Sequence, residues 1–149
     1  PPRSTLFPYT TLFRSKLGER TVTIDCDVLQ ADGGTRTASI TGGYVALHFA
    51  IQELVRKGTL PDTSILKNVA ATSVGTSGDK VLLDLCYEED STAGADFNIV
   101  MAKDGKFIEI QGGAEESRFD RNTLDKVLDL AELGITNLFA VQNKIIASM

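Results

Sequence analysis

The spacing of apolar residues divides the chain into strand-like and helix-like segments. From Thr21 to Leu29 every second residue is apolar, with Val22, Ile24, Cys26 and Val28 on one face, which predicts a half-buried strand. From about Thr37 to Lys57 the apolar residues recur at steps of three and four, which predicts an amphipathic helix. Further runs resemble strands, at residues 69–75, 81–87, 96–101 and 106–111.

Glycine pairs and turn residues punctuate the strand-like part of the chain. Asp104-Gly105 is a strong hairpin signal between the last two strands. Gly112-Gly113 is predicted to end the sheet. Because sequential strands with tight turns favour antiparallel pairing, we expect a mixed, largely antiparallel sheet packed with helices, an α+β fold.

The C-terminal part is predicted to form two helices. Asn122 is expected to cap the first, with Asp125 placed three residues later in the manner of a capping box. Gly134 is expected to end this helix, and the second should begin near Asn137.

Length and charge narrow the class of protein. The 149 residues suggest one domain, and no apolar run has the length of a membrane-spanning helix. The formal net charge of -5, without a cluster of lysine or arginine, argues against a simple basic nucleic-acid-binding module. Cys26 and Cys86 are interpreted as reduced, buried thiols of a cytosolic protein.

The first residues differ from the remainder of the chain. Thr5-Leu6-Phe7 recurs as Thr11-Leu12-Phe13 around a proline, in a stretch without acidic residues. This pattern resembles translated sequencing-adaptor sequence more than a targeting signal. We therefore expect residues 1–16 to be non-native or disordered, and residues 17–149 to form the domain; a genuine N-terminal arm is the alternative.

A glycine turn before the first helix is the main candidate binding site. Gly33 and Gly34 allow the backbone to turn sharply, and the amides of the following helix start favour an anion. Thr35 adds a hydroxyl, and Arg36 adds a planar set of donors suited to phosphate oxygens. The alternative is an ordinary glycine turn with a threonine cap and a solvated arginine.

Two carboxylates form a second candidate site. Asp90 ends one strand-like run and Asp96 begins the next, with Gly94 available as a bend between them. Two carboxylates that face one space repel each other unless a cation or a proton intervenes, and Mg²⁺ suits such a pair. The alternative is a solvated acidic loop.

The block from Asp25 to Gly42, together with Ile108–Gly112, resembles the ribonuclease PH family. These enzymes are phosphate-dependent 3′→5′ exoribonucleases that trim the 3′ ends of tRNA precursors. The similarity extends from about Leu17 to the C-terminus, and known members carry further residues before that point. The resemblance implies part of a ribosomal-protein-S5-domain-2-like fold.

The resemblance also implies roles for particular residues. Gly34, Thr35 and Arg36 would hold the attacking inorganic phosphate, which is a co-substrate. Asp90 and Asp96 stand where the family has its catalytic aspartates, and they would bind Mg²⁺ or Mn²⁺.

For other residues the resemblance implies a supporting role at most. Asn98 is at most a supporting residue, while Glu109 and Gln111 are interpreted as ordinary strand-face residues. His48, the single histidine, is interpreted as a helix-flank residue without a catalytic role.

The resemblance further implies partners and a location. These are RNA, specifically tRNA 3′ ends, a hexameric ring of identical chains, the cytoplasm, and no membrane. Two alternatives stay open: a non-catalytic ring subunit of an exosome-type assembly, and an inactive truncated fragment.

Overall fold

The structure is a computed structural model that describes residues 17–18, 20–63, 66–115 and 117–148. The N-terminal stretch 1–16 lies outside the described residues. No helix in the described ranges combines the length and hydropathy needed to cross a bilayer. In chain order the elements are α1 (Thr35–Arg56), β1 (Val69–Ser77), β2 (Lys80–Leu83), α2 (Tyr87–Asp90), β3 (Ala95–Ala102), β4 (Phe107–Ala114) and α3 (Arg121–Ala147).

The strands form one sheet in the order β2-β1-β3-β4. Each neighbouring pair is antiparallel, so β1 and β3 are paired on both sides and β2 and β4 are edge strands. Between β3 and β4, Gly105 adopts a φ of 80°, a left-handed conformation that glycine takes without strain. The predicted α+β class and largely antiparallel sheet are confirmed.

One face of the sheet is apolar and is covered by α3. Because side chains alternate along a strand, Ala70 and Val74 of β1 share this face with Phe97 and Ile99 of β3. The residues of α3 that meet them recur at helical spacing, at Val127, Ala131, Ile135 and Phe139. This layer is the main hydrophobic core.

The opposite face of the sheet is more polar and lies near the start of α1. Ser73 of β1 is paired in register with Asn98 of β3, and Glu109 of β4 is paired with Val100. Paired residues share a face, so these side chains and that of Asp96 point to the same side. The predicted helix is confirmed, and its apolar stripe packs further along in a second core cluster, around Leu17, Ile51 and Leu60.

Side chains from two helices complete the hydrogen bonding of β1 beyond the end of β2. The pairing with β2 stops at Val74, so the backbone of Val69 and Ala71 lacks a strand partner on that side. Thr41 Oγ1 accepts from the Ala71 amide at 3.0 Å and donates to the Ala71 carbonyl at 3.1 Å. Gln142 Nε2 donates to the carbonyls of Val69 and Thr41, both at 3.0 Å. These bonds fix α1 beside the sheet, and with it the first turn of α1.

The segment from Thr21 to Leu29 is not a strand, contrary to the prediction. It is exposed along its length, Leu29 by 97%, and no described strand pairs with it. It runs instead beside α1, where a Cβ at Gly43 would lie 3.4 Å from Ile24 Cγ2. Alternation makes a segment suitable for a sheet, but a strand also needs a neighbour that supplies hydrogen bonds.

The two predicted C-terminal helices are one helix, α3. Gly134 lies inside this helix. Glycine allows close packing at this position, because a Cβ would come within 2.8 Å of Leu83 Cδ1. The N-cap is Asp120, whose carboxylate accepts from the Thr123 amide at 2.8 Å, and not Asn122. The predicted cap and the predicted helix end are therefore both wrong.

The ends of two strands also differ from the predictions. Strand β4 continues through Gly112 and Gly113 to Ala114, so the glycine pair does not end the sheet. A Cβ at Gly112 would lie 2.6 Å from Phe97 Cδ1, so this glycine allows close packing between paired strands. Strand β2 is shorter than predicted, because Asp84 takes a φ of 57° and turns the chain away from the sheet.

Both cysteines are free thiols. The prediction that both are buried is wrong for Cys26, which lies on the exposed extended segment, and Cys86 is only partly buried. Cys26 is exposed because the strand that would have buried it does not form.

Candidate functional site

The glycine turn forms the start of α1. Gly34 is the N-cap residue and adopts a φ of 70°, a left-handed conformation that other residues rarely take. No side chain caps the helix, and the first intrahelical bond runs from the Ala38 amide to the Gly34 carbonyl. Within the described ranges, the amides of Thr35, Arg36 and Thr37 donate to no acceptor. The turn thus presents free donors at the positive end of a helix dipole, where an anion is stabilised.

Asp32 ties this turn to the short helix α2. Its Oδ1 accepts from the Tyr87 amide at 2.5 Å and from the Gly33 amide at 2.9 Å. The hydrogen bond from Tyr87, followed by that from Gly33, lowers the pKa of the Asp32 carboxyl. Gly33 lies so close to Leu85 that an added Cβ would be 2.0 Å from its carbonyl oxygen. The glycine turn and α2 are therefore positioned as one unit.

Arg36 reaches across the sheet from α1 to the edge strand β4. Its Nη2 donates to Glu109 Oε1 at 2.7 Å. Both side chains are partly buried, with 31% of Arg36 and 26% of Glu109 exposed. The sequence assigned no role to Glu109, so this ion pair is a contact that sequence reasoning missed.

The glycine turn lies over the sheet face that carries Asp96 and Glu109, the ion-pair partner of Arg36. A Cβ at Gly34 would lie 3.2 Å from Ser73 Oγ, so the turn sits over the row that pairs Ser73 with Asn98. The row of Asp96 is two residues along β3, about 7 Å away at ~3.3 Å per residue. The row of Glu109 lies about as far in the other direction.

Asp90 lies at the end of α2, in a compact connection to β3. The Ala93 amide donates to the Asp90 carbonyl at 3.2 Å, and the Gly94 amide donates to the Thr76 carbonyl at 2.8 Å. The chain therefore folds back between Asp90 and Asp96, in agreement with the predicted bend at Gly94, but Asp90 ends a short helix and not a strand, contrary to the prediction. Asp90 is exposed and Asp96 is partly buried on the sheet face.

Asp90 and Asp96 are the two carboxylates that the sequence analysis assigned to a cation. Among the described residues no group of three or more His, Cys, Asp or Glu side chains is arranged to hold a metal ion. Mg²⁺ is commonly bound through one or two carboxylates, with waters and substrate phosphates completing its shell. Asp90 is exposed and Asp96 is partly buried, so a cation held by these two side chains would take its other ligands from water and substrate.

Several polar residues lie outside this arrangement. Gln111 shares the sheet face through its pairing with Asn98 but is exposed. His48 lies further along α1, its ring tilted against that of Tyr44 at 6.2 Å between centroids. In the described part of the chain, no hydrogen bond joins the His48 side chain to the glycine turn.

A family model matches the part of the chain that carries β1 to β4 and the first half of α3. It is described as the 3′ exoribonuclease family, domain 2, and it matches residues 67–133. Proteins named ribonuclease PH from Exiguobacterium sibiricum and Corynebacterium glutamicum are 56% and 57% identical, over 83% and 86% of this chain. The chain is similar to the C-terminal part of ribonuclease PH proteins.

The chain spans about half the length of these curated relatives, 49% and 52%. A ribonuclease PH from Crocosphaera subtropica is also 56% identical, over 87% of this chain and 54% of its own length. Among solved structures, a chain of the Archaeoglobus fulgidus exosome with RNA bound to the active site is 20% identical, with a TM-score of 0.45. That match covers 62% of this chain and 35% of the exosome chain.

Proposed function

We propose that the chain is the C-terminal part of a phosphate-dependent 3′→5′ exoribonuclease. The observation that carries the proposal is the position of the glycine turn. Gly34 and the uncapped start of α1 lie over the same sheet face as Asp96. An anion site beside a carboxylate that can hold a cation suits a reaction in which one phosphate attacks another.

Three residues of the turn would bind the attacking phosphate. Gly34 permits the close approach, and the free amides at the start of α1 donate to phosphate oxygens. Thr35 is exposed and adds a hydroxyl donor, while Arg36 adds charge-assisted hydrogen bonds. Together they offset the repulsion between the inorganic phosphate and the RNA backbone.

The reaction exchanges one phosphorus–oxygen bond for another. An oxygen of inorganic phosphate bonds to the phosphorus of the last phosphodiester, and the bond from that phosphorus to the 3′ oxygen breaks. The terminal nucleoside departs as a 5′-diphosphate, and the shortened RNA keeps a 3′ hydroxyl. Asp90 or Asp96 would relay to this leaving oxygen the proton that the attacking phosphate gives up. Mg²⁺ or Mn²⁺, when bound by these two carboxylates, would neutralise charge on the leaving oxygen.

The substrate and the assembly that we propose are based on the similarity to ribonuclease PH proteins. The substrate is the 3′ end of tRNA precursors, and the protein would act in the cytoplasm as a hexameric ring of identical chains. The support is the identity of more than half the aligned residues with proteins named ribonuclease PH.

The first experiment supplies a short RNA with a 3′ tail and Mg²⁺ to the 149-residue chain, with and without inorganic phosphate. Nucleoside diphosphates separated by chromatography are expected only when phosphate is present. Release of nucleoside monophosphates without phosphate would contradict the phosphorolytic mechanism. RNA binding without release of any nucleotide would favour the non-catalytic ring subunit instead.

Substitutions then test the two parts of the site. Arg36→Ala is expected to raise the KM for phosphate by about tenfold or more, since it removes charge-assisted hydrogen bonds. Arg56→Ala, which removes an exposed arginine from the last turn of the same helix, should leave this KM unchanged.

Asp96→Asn should abolish release of nucleoside diphosphates while the circular dichroism spectrum is preserved. Asp129→Asn, an exposed change on α3, should leave the release unchanged. Unchanged turnover in Asp96→Asn would remove Asp96 from the mechanism.

A further inference from the structure

The ion pair between Arg36 and Glu109 differs from the other described ion pairs. Those pairs join residues within one turn of α1, as Arg56 with Glu53, or within the hairpin after β3, as Lys106 with Asp104. Arg36 and Glu109 are 73 positions apart and connect the start of α1 to β4. The pair therefore constrains the tertiary position of the arginine side chain, which a local pair cannot do.

Partial burial gives this contact more weight than an exposed ion pair. Exposed ion pairs contribute little, because water screens the charges and two long side chains must be ordered. Here more than two-thirds of each side chain is already shielded, and the 2.7 Å distance is that of a good charge-assisted hydrogen bond. A guanidinium held in this way loses much of its freedom before any ligand arrives.

Most of the donors of Arg36 stay available. A guanidinium carries five N–H donors, and the contact with Glu109 is made through Nη2 alone. Within the described part of the chain, Nη1 and Nε of Arg36 donate to no acceptor. Arg36 lies in the first turn of α1, next to the glycine turn, and its partner Glu109 lies on the sheet face that also carries Asn98 and Asp96.

We propose that Glu109 is a positioning residue for the phosphate site: it holds Arg36 over the sheet face so that the free guanidinium donors meet the phosphate. This inference rests on the proposed function. Glu109 does not touch the phosphate and acts through Arg36. If Glu109 instead competed with phosphate for the guanidinium, its removal would lower the KM for phosphate.

The test measures the KM for phosphate and kcat in the RNA assay for a graded series at position 109. Glu109→Ala should raise the KM by about tenfold, because a guanidinium without its anchor must be ordered when phosphate binds. Glu109→Gln keeps an acceptor oxygen and should raise the KM less. The value of kcat should stay within about twofold in both, since no group that meets the reacting atoms is removed.

Two controls isolate the route through Arg36. Glu132→Gln removes the same charge from an exposed position on α3, which covers the other face of the sheet, and should leave the KM unchanged. In an Arg36→Ala background, Glu109→Ala should cause no further increase, because the residue it positions is absent. An equal effect of Glu109→Ala in both backgrounds would overturn the positioning role.

A phosphate titration followed by NMR separates this inference from the proposed function. Phosphate binding that Arg36→Ala weakens and Glu109→Ala leaves unaltered would overturn the role of Glu109 alone. Tighter binding in Glu109→Ala would also overturn it, and would identify Glu109 as a competitor. If the unaltered chain bound phosphate no better than Arg36→Ala and released no nucleoside diphosphate, both proposals would be wrong.

Discussion

The glycine turn depends on single backbone contacts, and these can be tested residue by residue. A Cβ at Gly33 would lie 2.0 Å from the carbonyl oxygen of Leu85 and 2.8 Å from its carbon, and backbone atoms cannot rotate away. We expect Gly33→Ala to lower the free energy of unfolding by about 1–3 kcal/mol, the usual cost of extra atoms in a packed site. Urea denaturation with an unchanged m value is the measurement.

Gly42→Ala is the matched control for this prediction. Gly42 lies inside α1, where an added Cβ meets no atom within 4 Å. Alanine favours a helix over glycine by up to about 1 kcal/mol, so this variant should be slightly more stable than the unaltered chain. Equal losses in both variants would show that the contact with Leu85 has no special effect.

At this scale the sequence identified the turn but not the groups that hold it. Glycines followed by a helical pattern can be recognised from adjacent positions, which is why the turn at Gly34 and the helix after it were predictable. Glu109 binds Arg36 across 73 positions, and Asp32 binds Tyr87 across 55. Such pairs depend on how helices and strands meet, and alternation along β4 shows only which sheet face Glu109 shares.

Among the elements, α3 gives a direct comparison of the predicted cap with the observed one. Asp120→Ala removes the carboxylate that accepts from the Thr123 amide, and should lower the Tm by about 2–4 °C. Asn122→Ala should change the Tm little, because Asn122 lies inside the first turn and is exposed. Thermal unfolding followed by circular dichroism tests both variants. A larger loss from Asn122→Ala would restore the cap that the sequence predicted.

The pH dependence of the same cap has a definite sign. The Thr123 amide lowers the pKa of the Asp120 carboxyl below its ordinary value of 3.8. The stabilisation is therefore present above that value and is lost as the pH falls through the lowered pKa. The difference in Tm between the unaltered chain and Asp120→Ala should shrink over the same acidic range.

The period of the longer helices and of the four strands was predictable, whereas the short helix α2 and the ends of several elements were not. Alternating residues and the Asp104-Gly105 turn indicated the sheet, and the stripe in α1 indicated its helix. Local propensity alone predicts a helix end at Gly134. The glycine is instead needed inside α3 because the side chain of Leu83 on β2 packs against it. The ends of elements are decided by such contacts, and these depend on the assembled fold.

For the molecule as a whole, one face of the sheet packs in the hydrophobic core and the other carries residues of the proposed site. Phe97 and Ile99 turn towards α3 and the core, while Asp96 and Asn98 turn towards the glycine turn. This alternation is present in the sequence of β3, so the polar face could be predicted. Its opposition to the start of α1 could not be predicted, since it depends on Thr41 and Gln142 binding the free edge of β1.

Amide hydrogen exchange tests this arrangement across the whole chain. We expect the slowest exchange in β1 and β3, which are paired on both sides, and intermediate rates in β4, which is paired on one side. The amides from Thr21 to Leu29 donate to no acceptor in the described ranges, and should exchange fastest. Mass spectrometry of peptic fragments gives all these rates in one experiment, with β4 as the internal standard. Protection of the Thr21 segment equal to that of β1 would mean that it pairs as a strand in solution. The alternating pattern would then have been correct, and the exposed segment described above would be wrong.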